Sequence, residues 1–383
     1  MKDFSIAILV WGLKGGAIAN NAIALAKGLH DIGIGKIYLA FLVAQPSESI
    51  VIPEGVEVVS LQAKRARWAA FPIAKFINQY QPTVLISLSM FVNMPAAMGW
   101  LLSRKGKGQT KLIVSQHSTM SYKAYIEQKN SFVRFYPWLA RVLYPMADGV
   151  RANSPEVLDD LLNVIKIRSA KEYSVSITNS IDLDSIIGKS KQASEHPWLK
   201  EKQGPVIVSA ARLAKQKNFP LLLKAFSIVR QTENAKLIIF GKGPEKDNLQ
   251  AIIRQLNLED SVDLAGFSAN PWCNISKADV FALTSEEEPF GLVLVEALAC
   301  GTPVLATDAI GGGPKNILDS GKSGVLISSK DPEEIASSLV KLLKSQGYRE
   351  ELSYAGKKRS EDFRPNIIAE QWKSFLDKVL QQV

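Results

Sequence analysis

Apolar runs alternate with segments of helical spacing along most of this chain, and glycine-bearing turns separate them. The alternation is clearest in the second half. PVIVSAARL (Pro205 to Leu213) reads as a buried strand leading into Arg212, Lys215 and Lys217. A helix over 219–230 follows, then the strand Leu237 to Gly241, the turn Lys242-Gly243-Pro244-Glu245 and a helix over 246–257. Strands Val262 to Gly266 and Val280 to Thr284 come next. After them an apolar helix, Leu292 to Ala299, is stopped by Gly301 and Pro303, and the strand PVLAT runs toward the triple glycine Gly311 to Gly313. Strands and helices in this order predict an α/β fold with a parallel sheet covered on both faces.

The first half begins the same way, with MKDFSIAILVWGLKGG reading as a first strand and its turn rather than a signal peptide. One stretch departs from the alternation. Residues 82–103 carry no charge and are long enough to span a bilayer. Asn93, Pro95 and the serines within it favour a soluble reading: a buried strand Val84 to Leu88, a turn at Asn93 and Pro95, and a buried helix. The polar stretch Ser190 to Gly204 marks a boundary region. The expected domains are 1–184 and 185–364, with a break at Asp362-Phe363-Arg364-Pro365 before a last helix, Asn366 to Gln382, within 365–383. No short-period repeat is present.

Parallel sheets of this kind bind ligands outside the carboxyl ends of their strands. Arg212, Lys217, Gly243, Glu288 and Gly311 to Gly313 all fall at such ends. Glu288 sits in the loop before the apolar helix, followed by Pro289, Phe290 and Gly291, and Glu296 lies eight residues on, about two helical turns. The first amides of a helix lack internal partners, and its dipole favours an anion there. An arginine fork and a lysine point charge also suit phosphate. Alone, the glutamate pair could be an acidic run before an ordinary helix. On one edge with two cations and close-turn glycines, it points to a ligand carrying both hydroxyls and phosphate.

Further motifs join these: Gly15-Gly16 in GLKGGAIANNAIALAKGL, His117 in LIVSQHST, Asn153-Ser154 after ADGVRA, Asn179 in SITNSID, and Gly241 and Gly243 in GKGPEKDNL. In this set the chain resembles the retaining glycosyltransferases of family 4 over essentially its whole length. The resemblance implies two Rossmann-like domains in the GT-B arrangement, facing each other across a deep interdomain cleft that holds a nucleotide sugar. It implies that Arg212 and Lys217 neutralise the donor diphosphate, that Glu288 contacts the sugar and Glu296 the nucleotide ribose, and that His117 lies near the reacting sugar. Gly15, Gly16, Asn179, Gly241, Gly243, Pro289, Phe290, Gly291 and Leu292 complete the expected donor site. The family behaviour implies front-face attack with retention. Three places depart from the family pattern: Thr178-Asn179-Ser180 stands for the usual Pro-Asn-Gly, Asn316 for a frequent glutamate, and Ala17-Ile18-Ala19 for Ala-Glu-Arg. They bear on donor identity.

Composition narrows this picture. A chain of 383 residues is long enough for two cores, and Cys273 and Cys300 lie in no metal or redox spacing. No acidic metal-binding pair stands out, so no metal or other cofactor is expected. The net charge of +9 is uneven: residues 1–180 carry 20 basic and 11 acidic residues, while 181–383 carry 26 of each. Between Val58 and Ala147 there are twelve basic residues and one acid, Glu127, interleaved with aromatics. Lys64, Arg65, Arg67, Trp68, Arg104, Lys105 and Lys107 are the expected membrane or acceptor surface, suited to anionic lipid or a lipid-linked acceptor. A solvated basic face is the plainer reading of such a run. Nucleic acid is disfavoured because no recognition motif accompanies the charge. His30 and His196 read as surface residues. The expected activity is transfer from a nucleotide sugar, UDP-linked first and GDP-linked next, to a glycan or lipid-linked acceptor, in the cytoplasm or at the inner membrane face. Open alternatives are a GT-B epimerase or phosphorylase and a catalytically silent GT-B subunit that binds a partner or a membrane. A nicotinamide oxidoreductase is disfavoured because GLKGG is not G-x-G-x-x-G.

Overall fold

The computed structural model describes residues 4–13, 16–43, 51–63, 68–104, 110–126, 131–167, 173–194 and 196–381, the side chains of Arg104, Ser131 and Phe132 excepted. The chain divides into two compact units, residues 1–181 with 363–383, and residues 182–362.

The first unit is built on a seven-stranded parallel sheet. Its strands are β1 (Ser5–Val10), β2 (Lys36–Phe41), β3 (Val56–Ser60), β4 (Val84–Leu88), β5 (Lys111–Gln116), β6 (Gly149–Ala152) and β7 (Ser174–Ser176). Their order is β3-β2-β1-β4-β5-β6-β7, so the direction of winding reverses between β1 and β4. Both faces are covered, which explains the near-continuous apolar runs. Ala7 and Leu9 of β1 face a core with Phe76 and Trp100. Ile6 and Ile8 face the other, with Leu25, Trp372 and Phe375. The last two belong to the terminal helix Pro365–Leu380, which packs on helix Ala17–Asp31 and completes this core.

The second unit holds a six-stranded parallel sheet of β8 (Val206–Ala210), β9 (Lys236–Phe240), β10 (Val262–Gly266), β11 (Val280–Leu283), β12 (Val304–Thr307) and β13 (Val325–Ile327). Its order is β10-β9-β8-β11-β12-β13, with the reversal between β8 and β11. The two Rossmann-like α/β halves are those the alternation predicts.

The turn expected at Asn93 and Pro95 is absent. Helix Met90–Arg104 runs through both residues. The chain reverses earlier, at Ser89, which takes the left-handed φ of 102°. Asn93 is held in the helix because its side chain is fully used: Oδ1 accepts from Ser87 Oγ at 2.7 Å, and Nδ2 donates to the Ser115 carbonyl at 3.1 Å and Tyr144 Oη at 2.8 Å. Among the described residues, no helix is long and apolar enough to cross a membrane.

Candidate functional site

Around the reversal between β8 and β11, backbone bonds tie the loops leaving four strands. After β8, Ala211 N–H donates to Phe240 O at 3.0 Å and Leu213 N–H to Lys242 O at 3.1 Å, so this loop lies against the one after β9. The approach is too close for side chains. A Cβ at Gly241 would stand 1.9 Å from Ala211 O, and one at Gly243 would stand 2.1 Å from Leu213 O. The turn Lys215–Lys217 then meets the loop after β11. Thr284 Oγ1 donates to Asn218 O at 3.1 Å, and Glu286 N–H to Gln216 O at 2.8 Å.

Glu288 is therefore held by its backbone as well as its side chain. Its N–H donates to Ile310 O at 2.8 Å, and its carbonyl accepts from Gly313 N–H at 2.8 Å. Gly313 must be glycine for this approach, since a Cβ would stand 2.2 Å from Phe290 O. The Glu288 carboxylate, in a residue only 8% exposed, pairs with the Lys217 ammonium and accepts from Ser285 Oγ at 3.3 Å. Lys217 keeps further N–H donors beyond this pair. Arg212 is exposed, and its guanidinium has no hydrogen-bond or ion-pair partner among the described residues.

Pro289, Phe290 and Gly291 lie buried directly after Glu288. Gly291 adopts φ 90° and ψ 59°, a left-handed conformation that turns the chain into helix Leu292–Ala299. No side chain caps this helix and its first turn carries no acid; Leu294 N–H donates to Gly291 O at 2.9 Å, which leaves the Leu292 and Val293 amides and the positive dipole end available to an anion. Leu292 opens the helix half-buried, and Glu296 lies one turn further on. Burial pushes the Glu296 carboxyl up to about 7, with the Trp272 indole pulling the other way.

The first unit carries a second cluster at the carboxyl end of β5. His117 is half-buried there. Its Nε2 lies 3.0 Å from Ser115 Oγ and 3.1 Å from Arg151 Nη1. Arg151 sits in the middle of β6, is 1% exposed, and donates through Nη2 to Asn179 Oδ1 at 3.0 Å. Burial and the adjacent Arg151 charge hold His117 well below the ordinary imidazole range, so the ring is neutral. Burial brings the guanidinium down to about 9, which leaves it charged at neutral pH. Asn21 Oδ1 accepts from Ser180 N–H at 3.0 Å and so ties helix Ala17–Asp31 to the loop bearing Asn179. Gly16 caps that helix with φ 95°.

The structure thus brings Lys217 together with Glu288, and His117 together with Asn179. Trp68 is exposed. Gly15, Lys64, Arg65, Arg67, Lys105, Lys107 and the Arg104 side chain lie outside the described residues. His196 is not a surface residue. Its side chain is 9% exposed because Nε2 donates to Asp263 Oδ2 at 2.9 Å and Nδ1 accepts from Trp198 N–H at 3.2 Å. Sequence reading passed over Arg151. Its one local signal is a charge inside the otherwise small and apolar strand GVRA.

Two family descriptions match the chain: Glycosyltransferase Family 4 over residues 21–185, and Glycosyl transferases group 1 over residues 190–359. The chain is 33% identical, over 280 residues and 73% of each sequence, to the N-acetylgalactosamine-N,N'-diacetylbacillosaminyl-diphospho-undecaprenol 4-alpha-N-acetylgalactosaminyltransferase of Campylobacter jejuni. Its fold is similar to that of Anabaena HepE solved with UDP and glucose, at 23% identity and a TM-score of 0.75 over 97% of this chain and 99% of that one. It is also similar to sucrose-phosphate synthase of Thermosynechococcus elongatus, at 19% identity and a TM-score of 0.80 over 99% and 100%.

Proposed function

Given that the chain belongs to glycosyltransferase family 4 and is a glycosyltransferase of glycan or lipid-linked sugar synthesis, we propose that it is a retaining, metal-independent enzyme using a UDP-sugar. A GDP-sugar is the second choice of donor. The observation that carries the proposal is the Lys217–Glu288 pair beside an uncapped helix N-terminus at the β8/β11 reversal, with the Arg212 guanidinium unengaged.

In this reading the donor's C1–O bond to the diphosphate breaks and a C1–O bond to the acceptor hydroxyl forms on the same face. The acceptor proton passes to the leaving phosphate. Negative charge grows on that phosphate as the bond breaks. Lys217, Arg212 and the amides opening helix Leu292–Ala299 are then stronger partners in the transition state than in the ground state. Glu288, already engaged by Lys217 and Ser285, binds sugar hydroxyls rather than attacking C1. Glu296 takes the ribose hydroxyls. HepE, whose fold is similar, has been solved with UDP-glucose, which supports the uridine choice. The metal-free reading has the fixed cations in its support. Among the described residues, no group of three or more His, Cys, Asp or Glu could hold a metal ion.

Thermal stability with uridine, guanosine and adenosine diphosphates, each with and without excess EDTA, tests the core of this reading. A nucleotide at about 100 times its Kd adds roughly 2.7 kcal/mol to the native state. UDP is expected to raise Tm in the wild type and far less in Arg212→Ala. No shift with any of the three would remove the donor site, and a shift that EDTA abolishes would remove metal independence.

The acceptor side of the proposal is a peripheral contact with anionic membrane. Helix Ala70–Tyr80 packs on helix Met90–Arg104, which touches helix Tyr136–Leu143. These helices and their edges leave Phe71, Phe91, Met98, Phe135, Trp138 and Val142 exposed, with Lys75, Arg134 and Arg141 also exposed nearby. Aromatic residues beside cations suit a lipid interface. Vesicles containing phosphatidylglycerol are expected to retain the wild type and lose Phe135→Ser/Trp138→Ser. Equal retention of both would remove the membrane contact.

A further inference from the structure

The hydrogen bonds around His117 carry more than its placement. Arg151 faces Ser115 across the β5–β6 register, so its guanidinium lies beside the residue at the end of β5. It is held from three sides. Nη2 donates to Asn179 Oδ1 at 3.0 Å, Nη1 donates to Ser115 Oγ at 3.0 Å, and the Trp372 ring lies 5.5 Å away. Nη1 also lies 3.1 Å from His117 Nε2. A guanidinium has donors and no acceptor. In that contact Nε2 must therefore present its lone pair, and the single proton of the neutral ring must sit on Nδ1. Asn153 Nδ2 donates to the His117 carbonyl at 3.4 Å and so holds the backbone from which the ring projects. Nδ1 makes no hydrogen bond among the described residues.

We infer that Arg151 is a positioning residue that fixes His117 as an Nδ1–H donor, so that His117 gives a hydrogen bond to an oxygen of the bound sugar and does not take a proton through Nε2. The choice of ligand rests on the transferase reading, whereas the tautomer does not. The surroundings of Arg151 point the same way. Among the described residues its hydrogen-bond partners are all neutral, and its Nε is buried with no hydrogen-bond partner. A buried cation with neutral partners and an orphaned N–H costs stability. An apolar residue in β6 would serve the core better. What the guanidinium adds is a donor aimed at Nε2, which no apolar side chain supplies.

The test is the ring tautomer of the full chain labelled with 15N-histidine. The sequence has three histidines, and His117→Gln assigns the resonance. The wild type is expected to show His117 protonated on Nδ1. Arg151→Lys, which can still donate, is expected to keep that form. Arg151→Met is expected to move the proton toward Nε2, where Ser115 Oγ can accept it. Transfer by Arg151→Met should fall about tenfold in kcat, the scale of one hydrogen bond, while its Kd for UDP stays within about twofold of the wild type. A wild-type ring protonated on Nε2 overturns the inference even if Arg151→Met does not fold. So does an Arg151→Met protein that loses transfer and thermal stability with its tautomer unchanged, because that is a packing role. If no sugar is transferred by any variant while the Nδ1–H form is present and lost as described, the transferase reading fails and the positioning role stands.

Discussion

Lys217→Met is expected to lower kcat for sugar transfer about 10²- to 10³-fold, the scale seen when one preorganised charge-stabilising donor is removed. Two effects act in the same direction. The ammonium that would meet the leaving phosphate is gone, and the Glu288 carboxylate beside it loses its cation. An uncompensated carboxylate then faces the developing phosphate charge. The single variant should therefore be worse than the loss of one cation alone. Adding Glu288→Gln removes the uncompensated charge, so the double variant should be no slower than the worse single one. Residues that act as a unit show this non-additivity. Leaving a largely buried carboxylate unpaired should also cost about 1–3 kcal/mol of stability, visible as a lower Tm. Arg212→Ala should be milder and act mainly on donor affinity, since an exposed guanidinium works in a higher local dielectric. Steady-state kinetics of the wild type, Lys217→Met, Glu288→Gln, the double variant and Arg212→Ala decide the matter. A Lys217→Met enzyme within threefold of wild-type kcat would take the lysine out of the mechanism.

Glu296 gives the second large effect, and it depends on pH. With its carboxyl near pH 7, the residue changes from mostly protonated at pH 6 to mostly ionised at pH 8. Only the carboxylate can accept from both ribose hydroxyls with both oxygens. Nucleoside diphosphate affinity in the wild type should thus rise about tenfold from pH 6 to pH 8 relative to Glu296→Gln, which cannot ionise. Taking the ratio to the glutamine variant removes the phosphate's own titration. At pH 8 the variant should bind about 10- to 30-fold more weakly than the wild type, from the loss of hydrogen bonds to a charged acceptor. Stability runs the opposite way. The folded-state value is raised above the ordinary 4.5, so the group's contribution is fully present below about 4.5 and is lost as pH rises through about 7. Apo Glu296→Gln should therefore melt above wild type at pH 8, with the gap closing toward pH 4.5. Isothermal titration at the two pH values and melting curves without ligand read the two signs separately. A ratio that does not change between pH 6 and pH 8 would separate Glu296 from the ribose.

What the sequence made legible follows from the range over which each signal acts. Helix Leu292–Ala299, strand β4 and strand β10 lie where apolar runs and their glycine or proline stops put them, because those signals are local. The approach of Lys217 to Glu288 followed from fold logic, since the loops after neighbouring parallel strands share one edge. Features made by single contacts between distant residues were not legible. His196 looks like a loop histidine until Asp263, 67 residues away, takes its Nε2–H. Asn93 and Pro95 look like a turn until Ser87, Ser115 and Tyr144 saturate the amide and keep the helix whole. Arg151 looks like one more basic residue in a basic half. Nothing in GVRANS says that its partners are Ser115, His117 and Asn179.

The terminal helix Pro365–Leu380 has a consequence for the order in which the molecule can be completed. Residues 182–362 form one uninterrupted unit, whereas the first unit needs residues from both ends of the chain. During synthesis the unit carrying Lys217, Glu288 and Glu296 has all its residues before the unit carrying His117 does. Trp372 fills the core under β1 and also lies against the Arg151 guanidinium. A chain that stops short of this helix would hold all of residues 182–362, with Lys217, Glu288 and Glu296, and a first unit with an open core. The histidine's support is therefore synthesised only after the whole of residues 182–362.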